Sequence, residues 1–163
     1  MAKTAKAAKV QGDFVVIATN KKASHNYTLG ERFEAGLALI GSEIKSIRAH
    51  KVNLSDGYVE ERDGELWLLN VHIAEYAQAN RFGHEPLRPR KLLLHRKEIA
   101  HLIGKLRERG CTIVPTRLYL KRGRAKVEIA VAKGKKEYDK REAIAKREAN
   151  LDIRRRLKEK RFD

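Results

Sequence analysis

The sequence predicts a mainly β protein, a small OB-like β-barrel with one to three short helices and a basic C-terminal tail. The segment 14–19 is apolar and β-branched, which indicates a buried strand. A first hairpin is predicted around Asp63-Gly64, a dipeptide that favours a type I′ turn because both positions accept a positive φ. A second hairpin turns around Gly123, and apolar residues alternate with mostly polar ones over 126–131, as in a half-buried strand.

The remaining predicted elements are another strand and two short helices. The strand covers 33–40, where Gly36 indicates a bulge or a sharp bend. One helix is expected over 43–48. In the segment 99–106, apolar residues recur at i, i+3, i+4 and i+7, so a second helix is expected there with Gly110 as its stop.

Composition divides the chain into three regions. Residues 1–13 are rich in Ala and Lys and are expected to be disordered, since they have nothing to bury. Residues 14–132 hold nearly all the large apolar side chains and form the predicted barrel. Residues 133–163 form a tail with 13 Lys and Arg against 7 Asp and Glu. The apolar stripe of this tail is thin, so we expect it to be disordered alone and helical on a charged partner.

Charge and composition restrict the class of partner. The net charge is +16 on 163 residues, and self-repulsion of that size favours a polyanionic partner, with nucleic acid the first candidate. A membrane surface is less favoured, because the single Trp lies in a strand-like segment and no apolar run reaches the roughly 20 residues that span a bilayer. The basic N-terminus lacks a signal-peptide core, and the lone Cys111 excludes an internal disulfide, so a cytoplasmic protein is expected.

Signatures of an enzyme are missing from the sequence, and neither a metal nor another cofactor is expected. His95 and His101 are six residues apart and cannot share a helix face, and no HExxH motif occurs. The nearest Gly-Lys element, Gly134-Lys135-Lys136, lacks the upstream Gly and the Ser or Thr of a phosphate-binding loop.

Two basic clusters favour RNA over DNA. Lys21, Lys22, His25 and Tyr27 lie in a predicted connector between strands, where cations can pair with phosphates and rings can stack on unpaired bases. The segment 81–91 places four Arg or Lys residues and a Phe on an irregular loop with two prolines. No recognition helix for a major groove is evident. Each cluster alone is also compatible with an ordinary solvated surface.

Four runs of sequence resemble the SsrA-binding protein family, SmpB. They are NKKASHNY at 20–27, FEAGLALIGSEIKSIRA at 33–49, RPRKLLLH at 88–95 and AKGKKEYDKR at 132–141. The similarity runs in register over most of the chain. It implies an OB-like barrel that binds the tRNA-like domain of transfer-messenger RNA and, with elongation factor Tu, delivers that RNA to stalled ribosomes.

The resemblance also implies two groups of site residues. In the family the barrel replaces a missing anticodon arm, and the tail lies in the empty mRNA channel near the decoding centre. The candidate contacts to transfer-messenger RNA, taken from matching positions and neighbouring basic residues, are Asn20, Lys21, Lys22, His25, Tyr27, Glu34, Lys45, Arg48, Arg90 and Lys91. The candidate decoding-centre contacts in the tail are Gly134, Lys135, Lys136, Tyr138, Asp139, Lys140 and Arg141.

Two of these residues, Glu34 and Tyr138, are unexpected at their positions. Glu34 is an acid on a phosphate-binding surface, where it can accept from base amino groups or 2′-hydroxyls, orient basic neighbours, or form a structural salt bridge. Tyr138 stands where many family members are expected to have His; it can still stack on a base, but a proton-dependent role would be lost.

The leading functional prediction is therefore an RNA-binding adaptor for ribosome rescue by trans-translation, and not an enzyme. Its expected partners are transfer-messenger RNA, the small-subunit RNA of stalled ribosomes and elongation factor Tu, with the protein monomeric and away from membranes. The alternative prediction is a structural ribosomal protein or a general RNA chaperone, since either can combine the same charge and barrel.

Overall fold

The computed structural model describes residues 14–77, 83–135 and 137–159. The predictions for 1–13, for the loop residues Arg81 and Phe82 and for Lys136 lie outside these ranges, and so do those for the side chains of Tyr138 and Asp139. None of the helices in the described ranges is long and apolar enough to cross a membrane.

Strands dominate the body of the protein, and a single long helix follows them. The elements in chain order are β1 Phe14–Thr19, α1 Lys21–Asn26, β2 Tyr27–Leu37, α2 Gly41–Arg48, β3 Val52–Asn53, β4 Tyr58–Arg62, β5 Glu65–Leu69, β6 His72–Ile73, β7 Arg90–Leu93, α3 Arg96–Arg107, β8 Cys111–Lys121, β9 Arg124–Gly134 and α4 Glu137–Glu159. The predicted mainly β fold with a helical basic C-terminus is confirmed. The conditional part of that prediction, disorder of the tail without a partner, stays a prediction.

Seven strands form one antiparallel sheet in the order β1-β8-β9-β2-β7-β5-β4, and β3 pairs with β6 separately. The first and last strands of this order, β1 and β4, do not pair with each other, so hydrogen bonds do not close the sheet into a ring. The sheet instead curls until β4 lies against β8. The fold is thus barrel-like in its curvature, while its ladder of hydrogen bonds stays open.

Both predicted hairpins are confirmed. Asp63 and Gly64 have φ of 51° and 74° between β4 and β5, and Arg122 and Gly123 have φ of 50° and 75° between β8 and β9. A pair of positive φ values is what a type I′ turn requires, and this turn matches the natural twist of the two strands.

The core lies on the concave face of the curled sheet, where α2 and α3 cover it. Ile47 of α2 and Leu102 of α3 are completely buried against the apolar faces of the strands. The sheet contributes fully or almost fully buried side chains to the same cluster: Leu66, Leu68, Leu92, Ile113, Leu118, Val127 and Ile129. The core is therefore built mainly from strand residues, and the two amphipathic helices add their apolar faces to it.

Two local predictions need correction. Gly36 does not form a bulge: the irregularity in β2 lies between Leu29 and Arg32, and Gly36 pairs in register with Leu93. The alternative, a sharp bend at Gly36, stays a prediction. A Cβ at Gly36 would come within 3.2 Å of the Leu93 Cβ, so glycine here permits a close approach of two strands. Gly110 does not end α3 directly, because the helix stops at Arg107 and Gly110, with φ of 78°, forms the turn into β8.

A buried ion cluster attaches α2 to β7. The Glu43 carboxylate, fully buried, accepts from Arg90 Nε at 2.9 Å, from Arg88 Nε at 3.0 Å and Nη2 at 2.7 Å, and from the Ile40 backbone N–H at 2.9 Å. Burial alone would raise the pKa of Glu43, but the hydrogen bonds from Arg88 and Ile40 and the charge of Arg90 outweigh it and hold this pKa below its ordinary value. Burial lowers the pKa of Arg90 below its ordinary value, yet its guanidinium remains charged at neutral pH.

Replacing Glu43 with Gln should therefore destabilise the protein strongly. The change leaves two guanidinium groups without their counter-charge, one of them buried, and costs about 3–5 kcal/mol of unfolding free energy in urea. The lowered pKa means that Glu43 stabilises the fold above its unfolded pKa, near 4.5, and that this contribution is lost as pH falls through the folded pKa. Glu43→Gln should lose that part of the acid dependence. A matched control is Glu60→Gln, whose exposed pair with Arg62 is worth little; equal effects of the two changes would contradict the prediction.

Candidate nucleic-acid interface

The predicted connector at 20–27 is a short helix, and Asn20 holds it in place. The Asn20 Oδ1 accepts from the Ala23 N–H at 3.0 Å and so caps α1, while its Nδ2 donates to the carbonyls of Leu54 at 3.1 Å and Pro115 at 2.9 Å. The predicted connector between strands is therefore confirmed, since α1 joins β1 to β2. Its helical form was not predicted, although an Asn before a polar segment can begin a helix. Since Asn20 is only 6% exposed and fully hydrogen-bonded, its side chain positions α1 and does not face solvent.

Helix α1 presents its cations on the outside of the protein. Lys21 and Lys22 are exposed and His25 is half-buried in the last turn. Lys22 Nζ lies 2.8 Å from Asp56 Oδ1, and that hydrogen bond raises the pKa of Lys22. An exposed pair of this kind contributes little to stability, so Lys22 remains available to an anionic ligand.

The tail begins against α1. The Lys135 N–H donates to the Asn26 carbonyl at 3.0 Å, and its Nζ donates to the Ser24 carbonyl at 3.0 Å. Tyr27, directly after α1, packs its half-buried ring on the small cluster that includes Ala23. The structure thus joins the first predicted group, around α1, to the start of the second, in the tail.

Glu34 lies at the other end of β2 from Tyr27. They are seven positions apart in the sequence, which is on the order of 20 Å of strand. Because of the irregularity in β2, both residues face the same side of the sheet, opposite Gly134 and Glu128 respectively. The predicted RNA-facing residues are therefore spread along one face and do not form a single compact patch.

The Glu34 carboxylate is held by hydrogen bonds from two residues of β8. It accepts from the Tyr119 hydroxyl, and Lys121 Nζ lies 3.3 Å from both of its oxygens. The hydrogen bond from Tyr119 is the main reason that the pKa of Glu34 is lowered. Burial, followed by the same bond, raises the pKa of Tyr119 well above its ordinary value. Glu34 is thus kept ionised and fixed, with lone pairs still facing solvent.

Between Tyr27 and Glu34, the same face carries a charge network that the sequence did not reveal. Glu128 pairs with Arg32 Nη1 at 2.9 Å and with Arg117 Nη2 at 2.8 Å, and it accepts from the Thr116 hydroxyl at 2.7 Å. Burial favours a raised pKa for Glu128, but the hydrogen bonds from Thr116 and the two arginines outweigh it and lower this pKa. No local signal could have identified the network, because it depends on the register of three strands.

The other predicted contacts divide between surface and interior. Lys45 and Arg48 are exposed on α2, with the Lys45 Nζ 5.5 Å from the centre of the Tyr76 ring. Lys91 is half-buried and pairs with Glu65 at 3.4 Å. Arg90 is fully buried. Besides Glu43, its guanidinium donates to the Val71 carbonyl at 2.7 Å and to the Pro86 carbonyl at 3.1 Å, so a direct RNA contact would require it to leave the core.

In the tail, Gly134 is the last residue of β9, and Lys140 and Arg141 lie in the first turns of α4. Arg141 is exposed, while Lys140 is half-buried. Further along α4, Ile153 and Leu157 are 55% and 62% exposed, so the apolar stripe packs on nothing within the described residues. In the same ranges, no three His, Cys, Asp or Glu side chains are grouped as ligands of a metal would be.

The fold and this surface define a class: a small curled-sheet protein that binds a folded polyanion, with cations, rings and one fixed carboxylate distributed over a face and an extension. The comparisons with known proteins identify the family. The chain belongs to the SmpB protein family, whose model matches residues 17–159. The predicted family membership is confirmed.

Relatives and a solved structure agree with this assignment. The SsrA-binding protein of Symbiobacterium thermophilum is 54% identical over 152 residues, covering 93% of this chain and 96% of the relative. The SsrA-binding protein of a Roseiflexus species is 60% identical over 146 residues, covering 89% and 92%. A chain of the solved structure described as "tmRNA-SmpB: a journey to the center of the bacterial ribosome" is 42% identical, with a TM-score of 0.65 over 79% of this chain and 94% of that chain.

Tyr119→Phe should release the Glu34 carboxylate without disturbing the fold. The change removes only the phenolic donor, so the pKa of Glu34 should rise toward its ordinary value of 4.5. A carboxyl-carbon NMR titration of Glu34 measures this directly. Tyr58→Phe is the matched control, since the Tyr58 hydroxyl has no hydrogen-bond partner within the described residues. An unchanged Glu34 titration in Tyr119→Phe would show that Lys121 alone fixes the carboxylate.

Proposed function

We propose that this protein binds the tRNA-like domain of transfer-messenger RNA and brings it into stalled ribosomes for trans-translation. The names of the relatives and of the solved structure support this function. The observation that carries it is the attachment of Lys135 to α1, since it places the cations of α1 beside the start of the tail. Such an arrangement can hold two RNA elements at once.

On the body, the exposed cations of α1 and α2 pair with RNA phosphates, and the rings of His25 and Tyr27 stack on unpaired bases. Glu34 acts as a fixed acceptor. Because its carboxylate is ionised and already oriented by Tyr119, it accepts from a 2′-hydroxyl or a base amino group with little loss of entropy. Asn20 and Arg90 act indirectly, by positioning α1 and α2.

The tail tests whether the mRNA channel is empty. Helix α4 has 23 residues and is therefore about 35 Å long. Its many cations suit a channel walled by ribosomal RNA, and mRNA and tail exclude each other because both need the same space. Lys140 and Arg141, in the first turns of the helix, are the proposed contacts near the decoding centre, together with Lys136, Tyr138 and Asp139.

The proposed function also involves protein and RNA partners in the cell. Elongation factor Tu accompanies the complex to the ribosome, the small-subunit RNA receives the tail, and the protein acts as a monomer in the cytoplasm. It catalyses no reaction itself. Its contribution is to supply the shape and charge that the tRNA-like RNA lacks.

Binding selectivity tests the proposed function. The purified protein should bind a tRNA-shaped RNA more tightly than an unstructured polyanion of equal charge, and the affinity should fall with salt. The double variant Lys21→Ala, Lys22→Ala should lower the log–log salt slope by roughly 1.4–1.8, which corresponds to two phosphate contacts. Arg62→Ala combined with Arg107→Ala is a control for charge alone. Equal affinity for both ligands would reject the proposal and favour a general RNA chaperone.

Removing the tail should separate binding from rescue. A chain that ends after Lys135 keeps β9 and the attachment to α1, so it should bind the tRNA-shaped RNA within about twofold of the full chain while tagging of stalled peptides is lost. A chain that ends after Glu159 is the control for shortening. Full tagging activity without α4 would contradict the proposed role of the tail.

A further inference from the structure

We propose that the cavity beside α1 binds one unpaired guanosine nucleotide of the bound RNA. This inference rests on the proposed RNA-binding function and makes it specific to a base. The cavity has a volume of about 460 Å³, within the range of small-ligand sites. It lies between α1, the start of β2, the turn that precedes β4 and the start of β8.

The turn at one side of the cavity is fixed before any ligand binds. The Gly57 N–H donates to the Leu54 carbonyl at 3.0 Å, the Ser55 N–H donates to Asn53 Oδ1 at 2.9 Å, and Asn70 Nδ2 donates to the Asp56 carbonyl at 3.2 Å. A Cβ at Gly57 would come within 2.6 Å of the Val71 side chain, so the turn packs tightly on the core. A preorganised wall of this kind lowers the entropic cost of binding.

The cavity offers rings and free polar groups together. Tyr27 and Tyr58 both line it, and Tyr58 is 43% exposed although it lies on a strand of the core sheet. Within the described part of the chain, the polar side-chain groups of Asn26, Tyr27, Tyr58 and Thr112 make no hydrogen bond. A planar ligand that can stack and can also form hydrogen bonds matches this lining, and a nucleobase does both.

The rim of the cavity indicates which base fits. Among the described residues of the lining, Asp56 is the only carboxylate, and a carboxylate accepts hydrogen bonds and donates none. Guanine is the base whose Watson–Crick edge presents two adjacent donors, the N1–H and the N2 amino group, which one carboxylate can accept together. Lys22 Nζ lies 2.8 Å from the same Asp56, and we assign it to the phosphate of that nucleotide.

The first test uses guanosine 5′-monophosphate and the isotope-labelled full chain. The nucleotide should shift backbone amide signals around the cavity, those of Asn26, Gly57 and Asn70, and should bind at least fivefold more tightly than the adenosine, cytidine and uridine monophosphates. Asp56→Asn should remove this preference. Asp63→Asn, the same change in the exposed β4–β5 turn, should keep it. Equal shifts with all four nucleotides, or an unchanged preference in Asp56→Asn, would overturn the proposal.

The second test uses the tRNA-shaped RNA, with each unpaired guanosine replaced in turn by inosine, which lacks the N2 amino group. Inosine at one position should lower the affinity of the wild-type protein for the RNA roughly fivefold or more. The same replacement should not change the affinity of the Asp56→Asn variant. Tyr58→Ala should weaken binding roughly fivefold to a hundredfold, while Tyr58→Phe should retain it, because stacking needs only the ring. If the protein still selects the tRNA-shaped RNA and no inosine matters, the guanosine site is refuted and the proposed function stands. If that selection is missing as well, the proposed function fails.

Discussion

The side chain of Asn20 determines how the functional surface is assembled. One primary amide caps α1 and also donates to two backbone carbonyls, one in the turn before β4 and one in β8. These three elements surround the proposed nucleotide cavity, and α1 in turn receives the start of the tail through Lys135. A buried amide with all of these bonds satisfied is rigid, whereas leaving the two carbonyls unpaired would cost about 1–3 kcal/mol each. The recognition surface is therefore built outward from a residue that does not itself face solvent.

Some cations of this protein stabilise the core, and others lie on the surface where RNA can reach them. The neighbouring sequence does not distinguish the two kinds. Arg90 and Lys91 are neighbours in a basic run, yet Arg90 is completely buried and Lys91 is half-exposed. Alternation of side chains along β7 separates them, because one points to the core and the other away from it. The interior position is possible only because Glu43 and two carbonyls meet the guanidinium there. Charge counted from sequence thus overstates the cations that an RNA can reach.

Local chemistry explains which elements could be predicted. Both hairpins were predicted correctly because turn residues such as Asp63-Gly64 act within four positions of the chain. Helix α1 was missed because its six residues lack an apolar period. In addition, the Asn20 side chain that caps it is held in place by carbonyls that are distant in the sequence. The Glu128 network and the Tyr119 bond to Glu34 were missed for a related reason: each joins residues that only the strand register brings together. Family resemblance supplied Glu34 as a candidate, but its orientation and ionisation became evident only in the folded protein.

The sheet order has a consequence for how the chain is made. Strand β1 pairs with β8, so Phe14 meets Lys121, and β2 pairs with β9, so Glu34 meets Glu128. The partner strands of β1 and β2 are therefore synthesised about a hundred residues later. At ordinary elongation rates, synthesis of that many residues takes on the order of 5–20 s. During that interval the nascent β1 and β2 expose unpaired edges, a state prone to misassociation. A protein of this topology reaches its native pairing only after β9 has been synthesised.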